Sequence, residues 1–146
     1  VSSAKREVYK WVGAIRPKTL IASFVPVLVG TAVARASGIP LRWEISLLAF
    51  ASAALIQIGT NFVNDALDFK RGADTPERVG PKRITASGEA QASSVMKAAA
   101  LSFALAAVAG IPLVIAGGPA IVGIGLVSIL FGYLYTGGPF PLAYVG

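Results

Sequence analysis

Residues 45–62, ISLLAFASAALIQIGTNF, carry no charge, and the run leads directly into residues 64–83, NDALDFKRGADTPERVGPKR. An uncharged apolar stretch of this length predicts a membrane-spanning helix, and the acids and bases that follow must sit at an interface, in a protein-lined cavity or in a loop. Four of the seven acidic residues of the chain, Asp65, Asp68, Asp74 and Glu77, fall within 13 residues here, with Lys70 and Arg71 among them.

The rest of the chain repeats the apolar theme. Residues 19–36 hold no charge until Arg35 and at a helical rise cover roughly 27 Å, close to the hydrocarbon thickness of a bilayer. Residues 95–116 predict a third span and residues 120–135 a shorter fourth. The expected architecture is an all-α, multi-pass transmembrane helical bundle. Across 146 residues, 55% hydrophobic and 14% charged with a mean hydropathy of +0.70, no soluble domain of ordinary composition fits. Ala, Gly and Ser recur in every span, as close helix packing in a membrane requires. Pro26 and Pro112 lie inside spans, where kinks rather than breaks are expected.

Charge placement gives the orientation. Lys5, Arg6, Lys10, Arg16 and Lys18 precede the first span, and Lys70, Arg71, Arg78, Lys82 and Arg83 separate the second from the third. By the positive-inside rule the N-terminus, the 63–94 loop and the C-terminus face the cytoplasm. The Lys and Arg residues cluster at span ends rather than along a polar face, which argues against a nucleic-acid partner. No repeat or linker divides the chain, so residues 1–146 read as a single membrane-embedded unit. With neither Cys nor His, thiolate nucleophiles, disulfides, imidazole-based triads and the usual zinc sites are excluded.

If the second helix continues through Asp68, then on a wheel centred on Asn61 Gln57 falls at about −40°, Asn64 at about −60°, Asp65 at about +40° and Asp68 at about −20°. One face is polar. Gly72 and Pro76 should end this helix and let Asp74 and Glu77 fold back over that face. Carboxylates with amide neighbours suit a hard cation such as Mg²⁺, which takes one or two carboxylates plus waters and phosphate oxygens. Arg71, Arg78, Lys82 and Arg83 are the complement, a basic set for a diphosphate. Together they point to a lipid diphosphate substrate at the membrane surface. A solvated salt-bridge network is the plainer alternative, and Gln57 and Asn61 are what it explains worst.

Asn64-Asp65-x-x-Asp68 at the end of a second span resembles the first Asp-rich motif of the UbiA-type intramembrane prenyltransferases. The longer 64–83 string resembles the branch that prenylates 1,4-dihydroxy-2-naphthoate on the way to menaquinone or phylloquinone. Two flanking segments agree with it: residues 15–20, IRPKTL, and residues 135–146, YTGGPFPLAYVG. The resemblance implies a bundle of about nine transmembrane helices around a central cavity, of which this chain would be the N-terminal half. The second Asp-rich motif would then lie in a missing C-terminal half, and the fragment alone would be inactive. Gly72 stands where the wider family places a third acid, with Asp74 the substitute in this branch; Glu77 stands where the branch commonly has Asp.

The resemblance further implies that Asp65, Asp68 and Asn64 are catalytic and, with Asp74, hold Mg²⁺ against the diphosphate of a polyprenyl donor. Arg71, Arg78, Lys82, Arg83 and Lys18 would bind that diphosphate and neutralise it as it departs. An aromatic carbon of the naphthoate would then be prenylated, with loss of the ring carboxylate as CO₂. Asn61, Gln57 and Arg16 are candidates for contact with the acceptor or prenyl chain. For Gln57 and Asn61 an interhelical hydrogen bond is the alternative; for Arg16 and Lys18 it is anchoring to lipid headgroups. Tyr133, Tyr135 and Tyr144 read as an interfacial aromatic belt, with stacking on the acceptor ring or shielding of the allylic cation as the alternative. Rival functions are a relative acting on 4-hydroxybenzoate or homogentisate and, more remotely, a cation-coupled transporter or a non-catalytic membrane subunit.

Overall fold

The computed structural model describes residues 3–74, 80–81 and 83–145. Five α-helices follow one another: α1 (Ser3–Ile15), α2 (Ile21–Ala36), α3 (Trp43–Lys70), α4 (Ala92–Gly117) and α5 (Ala120–Leu134), with 3₁₀ turns at Pro17–Leu20 and Leu142–Tyr144. The described residues hold no strand, and the chain is a membrane helical bundle. Three segments are long and apolar enough to cross a bilayer, Pro17–Ala36, Trp43–Lys70 and Ala92–Gly117, while α5 is apolar but shorter. The first three expected spans overlap these three segments, and the expected fourth overlaps α5, which ends at Leu134 and is shorter than the others. Both prolines are accommodated inside continuous helices.

The hydropathy reading did not anticipate α1, whose 13 residues lie in the basic leader. Its Trp11 packs edge-on against Phe62 of α3 at 5.8 Å, and Ala14 is fully buried. The helix stops where Arg16 turns into the left-handed region at φ 56°, because a residue ahead of proline is disfavoured in the α conformation. Pro17 then begins the 3₁₀ turn that leads into α2.

At 28 residues, α3 is about 42 Å long, some 12 Å more than a hydrocarbon core requires. The surplus is the polar end, and it takes up the first residues of the expected 63–94 loop. The helix ends at Lys70, and Gly72 at φ 69° supplies the left-handed residue beyond it. The most extensive helix pair is α3 with α4. Large apolar side chains on the outer faces, such as Ile115, Leu126 and Val108, remain exposed, as expected of helices whose solvent is lipid. The buried apolar cluster of Ala14, Phe62, Val63, Ala66, Ile84, Val95 and Ala99 lies instead at the polar end of α3.

Candidate active site

Asn61 through Ala66 and Asp68 are all buried. A helix turn this polar persists without water only if its groups find partners in the protein, and each one ties down a different part of the chain. Gln57 Nε2 reaches Asn61 Oδ1 at 3.4 Å, and Asn61 Nδ2 donates to Ile15 O at 2.8 Å and Thr19 Oγ1 at 2.9 Å. That pair fastens the corner between α1 and α2. Asn64 Oδ1 accepts from the Thr136 hydroxyl at 2.8 Å, which fastens the segment after α5.

Asp65 turns to the opposite flank. Its two oxygens accept from the backbone N–H groups of Ile84 at 3.2 Å and Thr85 at 3.1 Å, and from the Thr85 hydroxyl. This carboxylate, only 1% exposed, thereby seats the 84–88 turn and with it the neighbouring Arg83. Arg83 enters between two acids: Nη2 lies 2.5 Å from Asp68 Oδ2, and Nη1 lies 3.1 Å from Asp74 Oδ1. Nη1 also donates to the backbone carbonyl of Asn64 at 2.9 Å. Arg83 Nε is buried and has no hydrogen-bond partner among the described residues.

The second oxygen of Asp68, Oδ1, accepts from the Tyr144 hydroxyl at 2.5 Å. Burial, the hydrogen bond to Asp68 and the charge of Asp68 push the Tyr144 phenol above its ordinary pKa, so it stays protonated and donates at neutral pH. Arg71 donates to the carbonyl oxygens of Thr136 and Gly138 and lies 5.6 Å over the Tyr144 ring. Arg71, Ala73, Pro139, Pro141 and Tyr144 line an open cleft of about 250 Å³ beside this cluster.

The structure thus gathers Asn64, Asp65, Asp68, Arg71, Asp74 and Arg83 at the end of α3. Asn61 points to the α1–α2 corner, Gln57 meets Asn61 within α3, Arg16 lies half-buried at that corner, and Lys18 is exposed on the 3₁₀ turn. Arg78, Lys82 and Glu77 fall outside the described residues. Sequence reasoning missed Thr85 and Thr136 altogether, and it placed Tyr144 in an aromatic belt. Their partners lie 20 to 76 residues away, so no local spacing signals them. Thr136 and Tyr144 do fall within the flanking segment 135–146.

Asp68 and Asp74 present only oxygen donors, which fit a hard cation such as Mg²⁺. Among the described residues no group of three or more acids is placed to hold a metal. Two carboxylates are nonetheless what Mg²⁺ commonly takes from a protein when phosphate oxygens and waters complete its shell.

The chain is similar to known proteins over most of its length. A 1,4-dihydroxy-2-naphthoate octaprenyltransferase of Mycobacterium tuberculosis is 40% identical over 137 residues, covering 94% of this chain and 46% of the relative. The enzyme of the same name from Bacillus subtilis is 40% identical over 133 residues, covering 88% of this chain and 41% of its own length. That from Escherichia coli is 34% identical over 144 residues, covering 93% and 46%. The chain therefore spans about half the length of the curated relatives it matches. No solved structure gives a significant match. The profile of the UbiA prenyltransferase family matches residues 23–146, which include most of α2, all of α3 to α5 and every described acid of the site, and the chain belongs to that family.

Proposed function

We propose that this chain is the donor-activating half of a 1,4-dihydroxy-2-naphthoate polyprenyltransferase, acting with the further length present in its relatives. The observation that carries the proposal is the buried Asp68–Arg83–Asp74 cluster at the end of a membrane helix, in a chain whose relatives bear that enzyme's name. Lipid substrates arrive through the apolar helices, and the charged leaving group stays at the polar end.

Asp68 and Asp74 would hold Mg²⁺, with the Asn64 amide oxygen at the same face. When bound, the ion supplies positive charge against the diphosphate oxygens. Asp65 keeps Arg83 in place by seating the 84–88 turn. Arg83 and Arg71 stabilise the negative charge that grows on the diphosphate as its bond to the first prenyl carbon breaks. Their contribution is larger in the transition state than in the bound substrate, so it raises the rate rather than affinity alone. Lys18, Arg78 and Lys82 join this basic set, and Arg16, Asn61 and Gln57 border the path of the acceptor. An electron-rich ring carbon of the naphthoate takes the allylic prenyl group, and the ring carboxylate leaves as CO₂. The polar end faces the cytoplasm in this reading, since that is where the basic residues gather.

The test is transfer of radiolabelled geranylgeranyl diphosphate to 1,4-dihydroxy-2-naphthoate in membranes containing the full-length protein, with 4-hydroxybenzoate and homogentisate as competing acceptors. Asp68→Ala should lower turnover on the order of 100-fold, and EDTA should abolish it. Turnover of 4-hydroxybenzoate but not of the naphthoate would replace the acceptor. No transfer to any aromatic acceptor would favour a transporter or a non-catalytic subunit.

A further inference from the structure

The two edges of the Arg83 guanidinium are used unequally. Nη1 is engaged by Asp74 and by the Asn64 carbonyl, and Nη2 by Asp68 Oδ2. Nε, the other half of the fork that Nη2 belongs to, is buried without a partner among the described residues. A carboxylate ordinarily takes such an Nε/Nη2 edge with both oxygens, which gives two parallel charge-assisted bonds. Asp68 already has one oxygen on that edge. Its other oxygen, the one that would fill the edge, is held by the Tyr144 hydroxyl at 2.5 Å.

Tyr144 is itself fastened. Its backbone N–H donates to Pro141 O at 3.0 Å, and its neighbour Ala143 donates to Tyr135 O at 2.8 Å. Arg71 lies over the ring and donates to the carbonyls of Thr136 and Gly138. The phenol therefore meets Asp68 from a segment tied to the end of α3 at several points.

We propose that Tyr144 is a positioning residue that holds the Asp68 carboxylate open, so that it does not close side-on over Arg83. The proposal rests on the metal-binding role given to Asp68 above. A carboxylate oxygen has two lone pairs, and in the open geometry each oxygen of Asp68 meets one side chain among the described residues, Tyr144 at Oδ1 and Arg83 at Oδ2. Closure would pair both oxygens with Arg83 and make the acid a poorer ligand for a divalent cation. The unfilled Nε is the cost of keeping Asp68 available, since an unsatisfied buried donor is destabilising.

Removing the hydroxyl while keeping the ring separates this role from packing. In purified full-length protein, Tyr144→Phe should weaken Mn²⁺ binding, read by electron paramagnetic resonance, by about tenfold, the size expected for one hydrogen bond to a charged group. Tyr9→Phe, on the exposed face of α1, should leave it unchanged. Lysine has no fork to close upon, so in an Arg83→Lys background Tyr144→Phe should cost no more than about twofold, a departure from additivity that marks coupled residues. Mn²⁺ affinity within about twofold of wild type in the single variant, or an equal loss in both backgrounds, would overturn the proposal. So would a lowered melting temperature with unchanged Mn²⁺ affinity, which would make Tyr144 a structural residue. Mn²⁺ binding needs neither acceptor nor turnover, so this idea and the proposed reaction fail by different results.

Discussion

The two halves of α3 are held by different physics. Near Trp43 the helix meets α4 and α5 through small and aliphatic side chains, Ala49, Ala53 and Ile56 against Ala106, Gly110 and Ile129, around an apolar cavity of about 440 Å³. Near Lys70 every turn is pinned by hydrogen bonds and ion pairs to residues far away in sequence. The apolar half tolerates empty space because lipid and hydrocarbon side chains are interchangeable neighbours there. The polar half cannot, because a buried charge or amide that loses its partner has no water to turn to. The contrast predicts that equivalent damage costs more at the polar end.

The strongest break is at Arg83, where Arg83→Met removes the only described cation between Asp68 and Asp74 while keeping most of the side-chain volume. Two buried carboxylates then lose the guanidinium they share, and the loss should be about 3–5 kcal/mol, the range for removing one partner of a buried ion pair. Unfolding of the full-length protein in mixed micelles measures it. Adding Asp68→Asn should recover part of the loss by removing one of the stranded charges. A cost below about 1 kcal/mol would mean that the cluster behaves as a solvated surface network.

The next effect lies midway along the helix. A Cβ on Gly59 would stand 2.6 Å from Cε1 of Phe103 on α4, so α3 and α4 approach closely only because this position lacks a side chain. Gly59→Ala should cost about 1–3 kcal/mol by overpacking, and Phe103→Leu in the same chain should relieve it. An undiminished cost in the double variant would show that the backbone, not the Phe103 ring, sets the limit.

The sequence made the apolar half of this contrast visible and only part of the polar half. Span positions follow from charge-free runs, and the shared face of Asn64, Asp65 and Asp68 follows from helical periodicity alone. What periodicity leaves open is the direction each side chain takes within that face. Asp65 and Asp68 lie about 60° apart on the wheel, and that difference sends one to the 84–88 turn and the other to Arg83 and Tyr144. The helix α1 escaped because its apolar residues are interrupted by bases, and its tertiary partner Phe62 lies 51 positions from Trp11. Tyr144 escaped for a related reason. An aromatic at a span end reads as a lipid anchor until the chain is seen to return to α3.

The smallest effect is also the cleanest comparison, because it removes one hydroxyl at each end. Thr136→Val keeps the side-chain shape and deletes the donor to Asn64 Oδ1, leaving a buried amide oxygen short of its partner. The expected cost is about 1 kcal/mol, the low end of the range for a buried acceptor that loses its donor. Ser52→Ala deletes the donor to Ala106 O at 3.0 Å in the apolar half. That carbonyl lies in the interior of α4, where the helix's own ladder supplies an N–H donor, so nothing is left unsatisfied and the cost should stay within about 0.5 kcal/mol. The hydroxyl itself is removed from an apolar surrounding, which offsets what remains. Measured side by side in the same micelles, equal costs would remove the distinction between the halves. A cost confined to Thr136→Val would locate the specificity of the fold at the end of α3 that carries the acids.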